Sequence, residues 1–130
     1  ALVDFIHYPA KAARPYVVAA DPELVNRIAG DDMMRGCTIA ANGFYGPQGR
    51  VLRVDLAVKD INDRITDFRY EGQRITNYEM EGSAIAGLSL LMGHKAMTVC
   101  CVIAQRKVEA ANTDYKPRIK QLIQTVLERI

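Results

Sequence analysis

Residues 43–50 read GFYGPQGR. Within eight positions this stretch places two aromatic rings, Phe44 and Tyr45, one side-chain amide, Gln48, and one guanidinium, Arg50. The rings offer flat apolar faces, Gln carries a donor and an acceptor on one planar amide, and Arg adds a rigid fork of donors with permanent charge. That set suits a planar ring with amide-like edges, such as a pyrimidine base. The same residues admit a plainer reading, in which Phe44 is core, Pro47 and the glycines shape a turn, and Arg50 is solvated. The glycines are no phosphate signature, because neither the Lys-Ser/Thr of a P-loop nor the dinucleotide fingerprint accompanies them.

A second group is Glu79-Met80-Glu81. On an extended segment the two carboxylates would share one side with Met80 opposite, and a carboxylate there can accept hydrogen bonds from vicinal sugar hydroxyls. Alternatively, a Glu at a helix start is stabilised by the helix dipole alone, and Met80 is ordinary core. Arg106, after a long apolar run, can hold a ligand or pair with an acidic side chain. His7 and His94 lack the Ser, Cys or Asp neighbours of a nucleophilic triad. Cys37, Cys100 and Cys101 show no metal-ligand spacing and read as buried apolar thiols rather than a disulfide framework or a zinc site.

These groups need elements to position them. Asp21-Pro22, followed by Leu24, Val25 and Ile28 and closed by Gly30, predicts a short helix. Residues 37–41 (CTIAA) predict a strand that delivers the 43–50 loop. Ile61, Ile65 and Phe68 are spaced for a helix within residues 59–68. Residues 75–78 predict a brief strand, and a helix rich in small residues follows over 81–92. The nearly continuous apolar run 95–104 (KAMTVCCVIA) predicts a central strand covered on both faces. Ile119, Leu122, Ile123, Val126, Leu127 and Ile130 form the stripe of a C-terminal amphipathic helix.

Strand, helix and strand over residues 75–104 would make a parallel βαβ unit, so an α/β sandwich is expected. Ligands in such sheets sit beyond the carboxyl ends of strands. Residues 44–50, 78–81 and 105–106 fall at those ends.

Composition agrees with a folded chain: 130 residues, 49% hydrophobic and 25% charged, excluding disordered and low-complexity classes. A balance of 17 basic against 15 acidic residues, net +2, gives no argument for nucleic acid or a membrane surface. No signal-peptide pattern or membrane-length apolar run is present, so a cytoplasmic protein is expected.

Taken together, GFYGPQGR (43–50), ITNYEMEGSAIAGL (75–88) and CVIAQR (101–106) closely resemble the C-terminal half of the uridine phosphorylases of the nucleoside phosphorylase superfamily. The resemblance covers about residues 36–130, and its most specific element is Phe-Tyr-x-x-Gln-x-Arg. It implies a three-layer sandwich, a central mixed sheet flanked by helices, present here as the C-terminal portion of a single domain. It also implies that Phe44 packs against uracil or ribose, that Gln48 and Arg50 hydrogen-bond the uracil edge, and that Ile103 lines the base pocket. Arg106 would position the Gln-Arg pair or a water, Met80 and Glu81 would contact ribose, and Glu79 beside them would contribute less.

The implied reaction is reversible phosphorolysis of uridine to uracil and ribose 1-phosphate in nucleoside salvage, with inorganic phosphate as co-substrate and no metal or organic cofactor. Gln48, Arg50 and Glu81 would carry it. A homo-oligomer, dimer or hexamer, is the implied assembly. No phosphate pocket is recognisable, so the resemblance places it in an N-terminal half and implies a partial chain. Gln105 stands where purine-acting relatives have Asp and many uridine phosphorylases have Asn. The alternatives are a broader purine and pyrimidine nucleoside phosphorylase, a nucleosidase using water, or a non-catalytic nucleoside-binding fragment without the phosphate site.

Overall fold

A computed structural model of the chain describes residues 1–105, 110–111 and 113–130. The elements run α1 (Leu2–Phe5), α2 (Pro22–Ile28), β1 (Cys37–Ala40), a 3-10 turn (Gly46–Gln48), α3 (Ile61–Asp67), β2 (Arg69–Tyr70), β3 (Gln73–Glu79), α4 (Gly82–Leu91), β4 (Ala104–Gln105), β5 (Ala110–Ala111) and α5 (Lys116–Arg129). The architecture is mixed α/β, as expected. Two compact units divide it: Ala1–Val17 with Gly36–Ser83, and Val18–Arg35 with Ala84–Ile130.

The first unit is built on a three-stranded mixed sheet ordered β1-β3-β2. β1 lies parallel to β3 with Ala40 opposite Glu79, and the register shifts between Cys37 and Thr38. Asn77 stitches the pair, its Nδ2 donating to Thr38 Oγ1 at 2.8 Å. β2 turns back antiparallel to β3 through Glu71 and Gly72, both at positive φ (48° and 75°). That pair of left-handed residues matches the right-handed twist of a two-residue hairpin. Helix α3 obeys its spacing: Ile65 and Phe68 are buried and join Ile6 and Ala41 in the core, while the Phe5 ring meets Phe68 edge-on at 5.5 Å.

The second unit contains the two clearest helices. In α2, Asp21 accepts from Leu24 N at 3.0 Å and Pro22 occupies the first turn, satisfying an end that would otherwise leave donors unpaired. Its last turn is tied to the end of α5. Arg129 donates to Ile28 O and grips both oxygens of Asp32, each at 2.9 Å, and Arg27 Nε returns a bond to Arg129 O at 3.0 Å. Along α5, Ile119, Leu122 and Val126 are half-buried and Ile123 and Leu127 exposed.

Three expectations are corrected. Residues 95–104 do not form a central strand: only Ala104–Gln105 enters a ladder, antiparallel to Ala110–Ala111, and Val102 is 60% exposed. An apolar run favours burial, but a strand also needs a neighbouring backbone about 4.8 Å away. What reaches this run from the α2 side is one backbone bond, Asp21 N to Ala96 O at 2.8 Å, and the side-chain pair of Glu23 with Lys95, neither of which makes a ladder. The parallel connection consequently lies one element earlier than expected, from β1 to β3 with α3 and β2 between them. The cysteines are free, but Cys37 and Cys100 are exposed and Cys101 half-buried. Cys37 opens an edge strand, and Cys100 and Cys101 lie in the part of the run that precedes β4 and enters no ladder.

Candidate active site

Parallel pairing decides where the chemistry gathers. Because β1 and β3 run the same way with Ala40 opposite Glu79, and Ala41 N extends the ladder to Glu79 O at 2.8 Å, the chain leaves both strands at one edge. The 43–50 loop leaves β1 there, and Met80-Glu81 leaves β3 there. This is the carboxyl-end position at which ligands sit in parallel sheets.

The loop is a compact turn. Gln48 N and Arg50 N both donate to Tyr45 O at 3.0 Å, and Gly49 N donates to Gly46 O at 2.9 Å. Pro47 sits within the 3-10 turn and Gly49 closes it in the left-handed region, φ 71°. A side chain at 49 would be strained by that φ, and a Cβ built there would lie 2.4 Å from the Asn62 amide nitrogen.

This turn brings the expected base-reading residues together. The Arg50 guanidinium lies over the Phe44 ring, 3.6 Å from its centroid, well inside cation-π range. Tyr45 meets Phe44 edge-on at 5.2 Å. Phe44 is 48% exposed, so it is not core, and Arg50 is half-buried on the ring rather than solvated. Gln48 is only 4% exposed, a buried amide beside an exposed aromatic. Burial of an amide costs free energy unless it is hydrogen-bonded, and Gln48 does have a partner.

At the end of β3 the two carboxylates differ. Glu79 turns back on the chain: its Oε2 accepts from Glu81 N at 2.8 Å and from Gly82 N, so it caps the ten-residue α4 and meets the positive end of the helix dipole. Its Oε1 is buried with no hydrogen-bond partner among the described residues. Glu81 and Met80 are exposed at this edge. The segment bends after Glu79, and the role of a stabilising Glu at a helix start falls to Glu79.

The third expected segment is 105–106, with Ile103 just before it. Ile103 belongs to the second unit and is 40% exposed. Arg106 lies outside the described residues. One residue not singled out from the sequence joins the site, Asn62: its Nδ2 donates to Gly49 O at 3.2 Å, and its Oδ1 accepts from the hydroxyl of Tyr78, within the expected 78–81 segment, at 3.0 Å. The available signal was Asn62 itself, a residue whose side chain competes for backbone groups and disfavours helix interiors. Among the described residues no three His, Cys, Asp or Glu side chains gather in metal-ligating geometry, and no helix is long and apolar enough to cross a membrane.

Comparison with known proteins gives two findings. The family model described as Phosphorylase superfamily matches residues 4–129. The chain is also similar to Uridine phosphorylase A of Schistosoma mansoni, 40% identical over 73 residues, which are 55% of this chain and 24% of that protein. The match thus spans about a quarter of that relative's length. No solved structure matches with significance.

Proposed function

The chain belongs to the phosphorylase superfamily, and from that premise we propose that it serves in the reversible phosphorolysis of uridine. The observation that carries this reading is the meeting of two segments at one sheet edge: the Phe44–Arg50 stack with Gln48 beside it, and Glu79-Met80-Glu81. The first suits a flat base with amide-like edges, the second a sugar with vicinal hydroxyls. Similarity to a protein named uridine phosphorylase supports the pyrimidine choice.

In the reaction the bond between sugar C1' and base nitrogen breaks and its electron pair leaves with uracil, which takes up a proton. A phosphate oxygen forms the new bond to C1' from the opposite face. Negative charge therefore grows on the base while the sugar gains cationic character. Donors from Gln48 and Arg50 stabilise the base, an electrostatic effect worth about 10²–10³ in rate per donor at a well-formed site. Glu81 orients the ribose by accepting from its hydroxyls, and phosphate gains from proximity without a covalent enzyme intermediate. Gln48 and Arg50 flank Gly49 within one hydrogen-bonded turn. Holding Arg50 against Phe44 lowers the ordering cost of using it, since a long flexible side chain is already placed. In the assembled enzyme we place this chain in a homo-oligomer, with Ile103 and Arg106 serving the base pocket.

A substrate panel tests the reading. The full-length protein should release base from uridine only with phosphate, and act more slowly on inosine. Equal use of inosine would indicate the broader phosphorylase. Release without phosphate would indicate a nucleosidase, and uridine binding by calorimetry without any product would indicate a binding module.

A further inference from the structure

We infer that Asn62 is a positioning residue that holds the 45–50 turn in place for base recognition, an inference that rests on the uridine reading above. Its amide works at both ends. Nδ2 donates to the carbonyl of Gly49 at 3.2 Å while Oδ1 accepts from the Tyr78 hydroxyl at 3.0 Å, and both bonds are partly buried. Gly49 separates Gln48 from Arg50, and Tyr78 immediately precedes Glu79 on β3. One side chain thus links the segment assigned to the base with the strand end assigned to the sugar.

The two bonds use the amide's donor and its acceptor separately. A carboxylate at 62 would still accept from Tyr78 but would oppose the Gly49 carbonyl with no donor, and an aliphatic side chain would make neither bond. Contact is close as well, because a Cβ at position 49 would fall 2.4–2.6 Å from the Asn62 amide atoms. The backbone bonds from Gln48, Gly49 and Arg50 set the curvature of the turn. Asn62 sets its place, since it fastens the turn to α3, which is anchored in the core by Ile65 next to Phe68.

The test uses Asn62→Asp, Asn62→Ala and Tyr78→Phe in the full-length protein. Kinetics in the synthetic direction separate base from sugar. Asn62→Asp should raise KM for uracil about five- to tenfold, the size of one lost hydrogen bond, and leave KM for ribose 1-phosphate within about twofold. Tyr78→Phe should act in the same sense but less. Hydrogen exchange should speed up over residues 45–50 in Asn62→Asp and not over residues 73–77. An unchanged KM for uracil, or an equal rise in both KM values, would overturn the inference. If Asn62→Ala does not fold, Tyr78→Phe, which removes a single hydroxyl, carries the same comparison. If the wild type makes and cleaves no uridine, the functional reading fails instead. Exchange over residues 45–50 then decides alone: faster exchange supports the role of Asn62, and unchanged exchange overturns it.

Discussion

The guanidinium of Arg50 lies 3.6 Å from the centroid of the Phe44 ring. The stack occupies one face of an aromatic residue that is otherwise half-exposed, and it restrains a side chain that carries about 2 kcal/mol of rotamer entropy. Arg50→Ala should cut turnover of uridine about 10²–10³-fold, the cost of one lost donor to a developing anion. Phe44→Leu should spare most of kcat and raise KM, because it removes the platform and not the charge. Steady-state kinetics on both variants, with melting temperatures to establish folding, check the two effects.

Gly49→Ala and Gly72→Ala form a matched pair. Both glycines have positive φ, 71° and 75°, but a Cβ at 49 would strike Asn62, whereas one at 72 would meet nothing within 4 Å. Gly72→Ala should cost about 1–2 kcal/mol, the penalty for an L side chain in the left-handed region. Gly49→Ala should cost more and should also weaken uridine binding. Urea unfolding of both variants measures the difference.

Glu79→Ala should loosen the start of α4. The carboxylate satisfies the N–H groups of Glu81 and Gly82, and a lost helix cap costs about 0.5–2 kcal/mol. Glu79→Gln keeps an acceptor oxygen while losing the charge, so it should cost less. Amide exchange at Glu81 and Gly82, read by NMR, should rise in the order wild type, Gln, Ala.

Stability should fall off at both ends of the pH scale. Hydrogen bonds from Arg129 and Arg64 hold the Asp32 and Asp60 carboxyls below their ordinary values. Folding therefore favours their charged forms, and the benefit is complete above the unfolded Asp value near 3.9 and is lost as pH falls through the lower folded values. Lys95 is shifted upward, chiefly by its hydrogen bond to Glu23. Its benefit is complete below the unfolded Lys value near 10.4 and disappears as pH rises through the higher folded value. Each pair is exposed, so each effect is small and salt-sensitive. Melting temperature against pH should show both shoulders, and Asp32→Asn should flatten the acid one.

Features decided within one turn of chain were legible in the sequence. The Asp21 cap, the spacing of Ile61, Ile65 and Phe68, and the periodic stripe of α5 all depend on neighbours three or four residues away. The Phe44, Gln48 and Arg50 grouping was legible for the same reason, since a single turn brings it together. Strand pairing was not, because it depends on which backbone comes alongside. Residues 95–104 have the composition of a central strand but enter a ladder only at Ala104, and Cys37 is exposed because β1 is an edge strand. The role of Asn62 was not legible because its two bonds reach 13 and 16 residues away. The capping role of Glu79 depends on where β3 ends, and the predicted strand stopped one residue short of it.

The most direct test of the central claim is to follow uracil and ribose 1-phosphate together when the full-length protein is given uridine, with and without inorganic phosphate. Equal amounts of the two products, formed only with phosphate and nearly abolished in Arg50→Ala, are the expected result. Products formed at the wild-type rate by Arg50→Ala, or no uracil from the wild type with phosphate present, would contradict the assignment of this site to uridine phosphorolysis.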